Sequence, residues 1–263
     1  MMEKPLMSEV KSATRVMQIL TLLRDHPLGL TISEVSKILS IPKSSTHELL
    51  HSMSEEHYLQ IQGTRYSLGI KVFEIGQAAA RSSELIQFAR PTMKWVGEEL
   101  SESVQLAMLD GTEVVYLSKM QFRKDIKLES KVGTRLPSYA TGLGKAILST
   151  YPKDEVEARF SETHFEQFTP RTITTLDGLH ENLQEIRVKG YAEDREEYSK
   201  GVFCYAMPIK DLQNQTLGAI SVSMPGEPAS QERREKVLKL LAEATSNLTQ
   251  KFRYTTGKIK TAR

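Results

Sequence analysis

Cysteine is nearly missing from this 263-residue chain. The single thiol, Cys204, rules out an internal disulfide and a cysteine-built zinc cluster. No apolar run approaches the roughly 20 residues that a membrane helix needs, and the opening MMEKPLMSEV has no apolar stretch of the kind a secretory signal carries. A cytoplasmic protein without membrane contact, metal or cofactor is therefore expected. No internal repeat is visible. Surplus charge is lacking too: 35 Lys and Arg stand against 33 Asp and Glu, a formal net charge of +2. Residues 1–80 carry eight basic residues (4, 11, 15, 24, 37, 43, 65 and 71) and eight acids (3, 9, 25, 34, 48, 55, 56 and 74), which cancel. A segment so balanced cannot hold a polyanion by bulk charge alone, and would need a few well-placed cations and a second copy of itself.

What is present is enough hydrophobic sequence, 39% of residues, for two domains with real cores. The organising stretch is Thr31 to Met53, TISEVSKILSIPKSSTHELLHSM. Ile32, Val35, Ile38 and Leu39 recur at helical spacing, and Thr31 with Glu34 has the form of a capping box. Leu39-Ser40-Ile41 reads as a turn, with Pro42 in the first turn of a second helix, where a missing N–H costs nothing. In that helix Thr46, Leu49, Leu50 and Met53 face one way, and Ser44, His47, Glu48 and His51 face the other. Such a pair suits a helix laid in a DNA major groove. An ordinary amphipathic helix pair would read the same way, so this stretch alone leaves both open.

Around it, Ala13, Val16, Met17, Leu20 and Leu23 form an earlier helical stripe. Tyr58–Ile61, a turn at Gln62–Thr64, and Arg65–Leu68 read as a β-hairpin. Three helices followed by a hairpin make a winged helix–turn–helix, which favours DNA binding. Lys43, Ser44, Ser45, His47 and His51 on the reading helix, with Arg65 on the wing, are the candidate DNA contacts, since donors at a helix N-terminus meet phosphate oxygens well. His47 and His51 at i and i+4 lack a third ligand, so a metal site is not expected. Residues 68–81 form a half-apolar helix whose Val72, Phe73 and Ile75 either pack on a partner or cap their own domain.

Beyond a helix over about 85–100, interrupted by Pro91, the chain turns to mixed strands and helices. Ser103–Leu109 and Glu113–Lys119 flank an Asp110-Gly111 turn. Residues 133–139 read as a loop, 141–150, 152–160 and 176–189 as helices, 191–196, 202–209 and 217–224 as strands, and 232–252 as a closing helix. That order predicts an α+β domain of sensor type, not a repeated βαβ enzyme. Thr141-Gly142-Leu143-Gly144-Lys145 opens a helix, so its free N–H groups could cradle an anion, or its glycines could serve close packing. It is not a P-loop, because Tyr139 and Ala146 stand where glycine and Ser or Thr are required.

The chain resembles the IclR family of bacterial transcriptional regulators over nearly all of Ser12 to Phe252. IPKSSTHELL, RYSLGIKVFEIG, GTRLPSYATGLGKAIL, FTPRTIT, GYAEDREEYSKGVFCYAMPI and LGAISVSMP carry the likeness by their order and spacing. The resemblance implies a flexible arm (1–11), a winged helix–turn–helix domain (12–68), a linker helix (69–84), a GAF-like effector domain (85–253) and a disordered tail (254–263). It also implies dimers or tetramers on palindromic operators, here expected to act as a repressor. Family members usually carry Arg where this chain has Glu48. That acid either accepts from a cytosine amino group or, the safer expectation, turns into an intramolecular pair.

In the same family, positions matching Asp194, Val202, Cys204, Ser221 and Ser223 line a pocket for small organic acids. The residues are compatible with that, because Val202 and Cys204 share one strand face and Ser221 and Ser223 another. Buried serines need partners, which a ligand's oxygens can supply. With Thr141, Gly142 and Leu143, they are the candidate effector site. The alternative is a GAF-like enzyme acting on a small carboxylate and fused to a DNA module, using the Asp194, Glu196 and Glu197 carboxylates or Cys204. A cysteine nucleophile needs a base, and His164 and His180 fall in segments read as loop and helix.

Overall fold

The computed structural model describes residues 10–122, 130–226 and 229–259. The chain forms two compact units, Met1–Ser82 and Ser83–Arg263, and helices and strands occur in both, an α+β protein with a helix–turn–helix unit first.

The first unit runs α1 (Lys11–Arg24), β1 (Leu30–Thr31), α2 (Ile32–Leu39), α3 (Lys43–Glu55), β2 (Leu59–Gln62), β3 (Arg65–Leu68) and α4 (Ile70–Ser82). Its core joins Ile19, Leu23, Val35, Leu50, Met53 and Tyr66. The buried stripe of α1 is rotated from the expected one: Ile19 is fully buried while Met17 is 60% exposed. Two residues at 100° each put Met17 nearly opposite Ile19, so both cannot face the core. On α2 only Val35 is fully buried. Ile38, expected inward, lies open in the last turn, because an eight-residue helix offers the core little more than one full turn.

The capping box forms as its spacing requires. Thr31 Oγ1 accepts the Glu34 N–H (3.3 Å), and Glu34 Oε2 accepts from the Thr31 backbone N–H (2.7 Å). Ser40, at φ 53°, ends α2 in the left-handed region, and Ile41 drops into the interior instead of riding on the turn. Pro42 takes the N-cap of α3. In the hairpin, Gln62 pairs with Arg65 across a two-residue turn, where Gly63 holds φ +63°. The strand therefore begins one residue later than expected, at Leu59. β1 adds a third strand, Leu30 pairing with Tyr66; two residues are too short to show any period.

The second unit runs α5 (Glu84–Leu100), β4 (Ser103–Asp110), β5 (Glu113–Met120), β6 (Arg135–Pro137), a 3-10 turn (Ser138–Ala140), α6 (Gly142–Leu148), α7 (Lys153–Phe160), α8 (Leu176–Lys189), β7 (Ala192–Arg195), β8 (Val202–Lys210), β9 (Thr216–Pro225) and α9 (Gln231–Ile259). Six antiparallel strands lie in the order β6-β5-β4-β9-β8-β7. Val104, Tyr205, Ile220 and Val222 on one face pack with α5 and α9. Tyr116, Ala206 and Ala219 on the other pack with α6, α7 and α8. Residues 133–139, read as a loop, contain β6 and the start of the 3-10 turn, since a three-residue edge strand leaves no alternation to read. The helix foreseen to end at 252 continues to Ile259, so the tail expected from 254 is helical as far as it is described. The arm expected over 1–11 falls outside the described residues, apart from its end, where α1 begins.

Every residue of α6 is buried, and its glycine is needed for approach. A Cβ on Gly144 would sit 2.2–2.6 Å from the Ser138 backbone. Gly144→Ala is therefore expected to destabilise the second unit by about 3 kcal/mol or more through overpacking. Gly76→Ala in α4, where an added Cβ meets no atom within 4 Å, should be neutral or stabilise by up to about 1 kcal/mol. Urea unfolding of the two variants checks both.

Candidate functional sites: a reading helix and a polar cavity

On α3, Lys43, Ser44, His47, Glu48 and His51 are exposed and Ser45 is half-buried, while Thr46 is fully enclosed. Thr46 Oγ1 donates to Pro42 O (3.1 Å), which holds the helix start. The His47 and His51 rings lie 6.3 Å apart. Among the described residues no cluster of three or more metal-ligating side chains exists. Glu48 makes no ion pair among the described residues, contrary to the safer expectation; no cation on α3 lies one turn from it, since position 44 is serine and 52 is serine. Arg65 is less free than the sequence suggests. Its Nη1 donates to Gly29 O (2.8 Å) and meets Glu34 Oε2 at 3.4 Å. The same Glu34 closes the capping box, so one carboxylate ties wing to helix start, and the Thr31 hydrogen bonds hold that carboxylate below its usual range.

In the second unit, a cavity of about 40 Å³ lies at the start of α6, among residues of β5, β6, β7, β8 and β9. Tyr116, Thr141, Asp194, Val202, Cys204 and Ser223 border it, with Ser130, Tyr198 and Ser199 at its rim. Gly142 packs against it, since a Cβ there would lie 3.5 Å from both Asp194 and Cys204. Two expected residues do not border it. The Leu143 side chain points into the apolar cluster, because successive helix residues diverge by 100°. Ser221 is buried behind Ser223 and donates to Gln105 Oε1 (2.8 Å). Ser223 donates to the same oxygen (2.9 Å), so the serines find an internal partner from β4 where a ligand had been expected. Cys204 Sγ lies 3.1 Å from Ser223 Oγ. The N-cap oxygen of Thr141 accepts the Gly144 N–H (3.1 Å), which removes one donor from the anticipated anion cradle.

A buried ion pair stands at the end of this network. Lys145, wholly enclosed on α6, reaches both carboxylate oxygens of Glu197 at 2.5 Å. The Glu197 N–H in turn donates to Asp194 Oδ1 (2.8 Å). Thr172 Oγ1 donates to Glu197 O (2.6 Å), tying the 169–172 loop to the same turn. Burial, then the Glu197 charge, pushes Asp194 up to about 7, against the lowering pull of Lys145. Burial likewise raises the Cys204 thiol and the Tyr116 phenol. A raised thiol is a poor nucleophile, and no histidine borders the cavity among the described residues. His180 instead faces Glu157 at 3.5 Å, between α8 and α7.

Sequence reading missed Gln105, Tyr116, Lys145 in this role, and Glu197 as its partner. A signal existed for Gln105: Ser103 and Gln105 are polar at alternate positions of an otherwise apolar strand. Lys145 gave none, because a lysine beside glycines reads as a loop residue.

Residues 12–63 match the family model described as the IclR helix–turn–helix domain, and 77–250 match that of the bacterial transcriptional regulator IclR C-terminal domain. The chain is 30% identical over 248 residues to the HTH-type transcriptional regulator KdgR of Escherichia coli, covering 93% of this chain and 94% of that one. It is 26% identical over 249 residues to the transcriptional repressor IclR of the same organism, covering 93% and 91%. In fold it is similar to an IclR homologue from Microbacterium hydrocarbonoxydans complexed with 4-hydroxybenzoate, with a TM-score of 0.79, 23% identity and coverage of 92% and 98%. These names are those of transcriptional regulators, not of enzymes. Among the described residues, no helix is long and apolar enough to cross a membrane.

An acid raised from 3.8 to about 7 stabilises the fold fully below pH about 4, and that contribution is lost as pH rises through 7. Asp194→Asn keeps an oxygen for the Glu197 N–H and removes the charge. Its melting temperature relative to wild type should climb from pH 4 to 7 and level off above, as followed by calorimetry across pH 4–8.5.

Proposed function

Because the chain belongs to the IclR family of bacterial transcriptional regulators, it is a DNA-binding regulator of transcription, and we propose that it is a cytoplasmic repressor released from a palindromic operator by a small organic acid. The observation that supports this most is the polar cavity at the start of α6, set in an otherwise apolar core and bordered by an acid. That a relative of the same fold holds 4-hydroxybenzoate agrees with an organic-acid effector. At about 40 Å³ the cavity has room for a water or two, far below the few hundred Å³ of a typical ligand site. An effector therefore selects an opened arrangement, and it shifts operator affinity only by its preference for that arrangement.

On DNA, Lys43, Ser44, Ser45, His47 and His51 form the reading face, Lys43 and Ser44 toward phosphate and His47, with Glu48 beside it, toward base edges. Arg65 buttresses the wing and reaches phosphate only by leaving Gly29. With no net charge over residues 1–80, affinity comes from paired reading heads in a homodimer or homotetramer. α4 supports that: none of its 13 residues is buried, and Phe73 is 62% exposed.

Duplexes selected from a random pool test the reading face. Lys43→Ala should weaken binding across sequences and lower the salt slope by about one. His47→Ala should relax the preference at one base position by about 1–3 kcal/mol. Unchanged selection with Ser44 and His47 both replaced by alanine would remove α3 from the groove. Phe73→Asp with Ile75→Asp should yield smaller particles in light scattering and at least tenfold weaker operator binding; an unchanged mass would take α4 out of the assembly.

A further inference from the structure

The cavity has a charge problem that its lining makes plain. Among the described residues that border it, none carries a positive charge, and one, Asp194, is an acid. Asp194 Oδ1 is taken by the Glu197 N–H, and among the described residues that is the hydrogen bond the carboxyl group makes, which leaves Oδ2 for a ligand. Lys145 of α6 is the cation that pulls Asp194 down, and both oxygens of Glu197 already hold it. On the outer edge of β7, a hollow of about 320 Å³ also reaches Asp194, but its arginines are engaged. Arg171 pairs with Glu196 at 3.0 Å, and Arg195 and Arg234 both pair with Glu193. Of the other titratable neighbours, Glu196 adds a second like charge that raises Asp194, while burial and the nearby Asp194 hold the Cys204 thiol and the Tyr116 phenol protonated. Among the described residues that border the cavity, an anionic ligand entering here meets a second carboxyl group and no cation.

We propose that the organic-acid effector is bound together with one proton, which resides on Asp194 Oδ2 and is donated in a hydrogen bond to the effector's carboxylate. The inference rests on reading the cavity as a carboxylate site. The proton comes from solvent: carboxylate, effector carboxylate and a solvent proton give a neutral acid hydrogen-bonded to an anion, and no other bond changes. Two carboxyl groups sharing a proton at close range bind well, whereas two anions repel. Burial and the Glu197 charge already push Asp194 up to about 7 before ligand arrives, so taking up the proton carries no large penalty. Effector sensitivity thereby becomes sensitive to internal pH, and acidification strengthens release of the operator.

The test uses the full-length protein with acetate, pyruvate and 4-hydroxybenzoate as probes, by calorimetry at pH 6 to 8.5 and in two buffers of different ionisation enthalpy. Expected is an affinity flat below about pH 7 and falling roughly tenfold per unit above it, with close to one proton taken up per probe at pH 8. Asp194→Asn, a neutral isostere, should bind with the wild-type pH 6 affinity at every pH and take up no proton. Probe binding that is independent of pH in wild type, or weakened by Asp194→Asn at all pH values, would overturn the proposal and leave the cavity a carboxylate site of another kind. Failure of every probe at every pH would instead overturn the carboxylate reading, and this inference with it.

Discussion

A lysine ammonium enclosed in a protein core must have a partner, and most of the effector unit's polar architecture follows from how Lys145 finds one. Removing two charges from water is costly unless the geometry is close and the leftover lone pairs are used. Both conditions hold: Glu197 grips the ammonium with both oxygens, and its backbone is fastened by Asp194 and Thr172. The pair thus pins the turn after β7 onto α6 and brings Asp194 to the cavity wall. Burial there, and then the Glu197 charge three residues away, raises Asp194 against the pull of Lys145.

The floor of the cavity follows a second rule, that buried hydroxyls need acceptors. Ser221 and Ser223 turn their protons to one oxygen of Gln105, across from them in the β4–β9 register. Of these groups, the Ser223 hydroxyl and the Cys204 thiol border the cavity. Hydrogen bonds thus keep the floor in place beneath a buried acid.

The DNA-binding unit solves a different problem with few charges. Glu34 serves the start of α2 and the wing at once, so a single carboxylate ties α2 to the hairpin, and a small apolar core holds α3 beside them. Because basic and acidic residues cancel there, little non-specific attraction is available, and discrimination depends on the short polar groups of α3.

Helix starts, turn chemistry and strand alternation are local, and they were legible. The Thr31–Glu34 box, the Pro42 helix start, the Asp110-Gly111 hairpin and the long α8 all lie where spacing places them. Family likeness added the two-unit plan. Elements of two or three residues, β1 and β6, carry no period and were invisible. The rotation of α1 was missed for a related reason, since several apolar stripes fit one helix and only the packed neighbours choose. Cys204, Asp194 and Ser223 could be grouped from strand parity and resemblance. That Gln105 holds the serines, that Lys145 reaches Glu197, and that Arg65 is tied to Gly29 and Glu34 depended on distances between residues 31 to 118 positions apart. Only tertiary structure decides those, because a side chain's partner is set by which backbones meet and not by its neighbours along the chain.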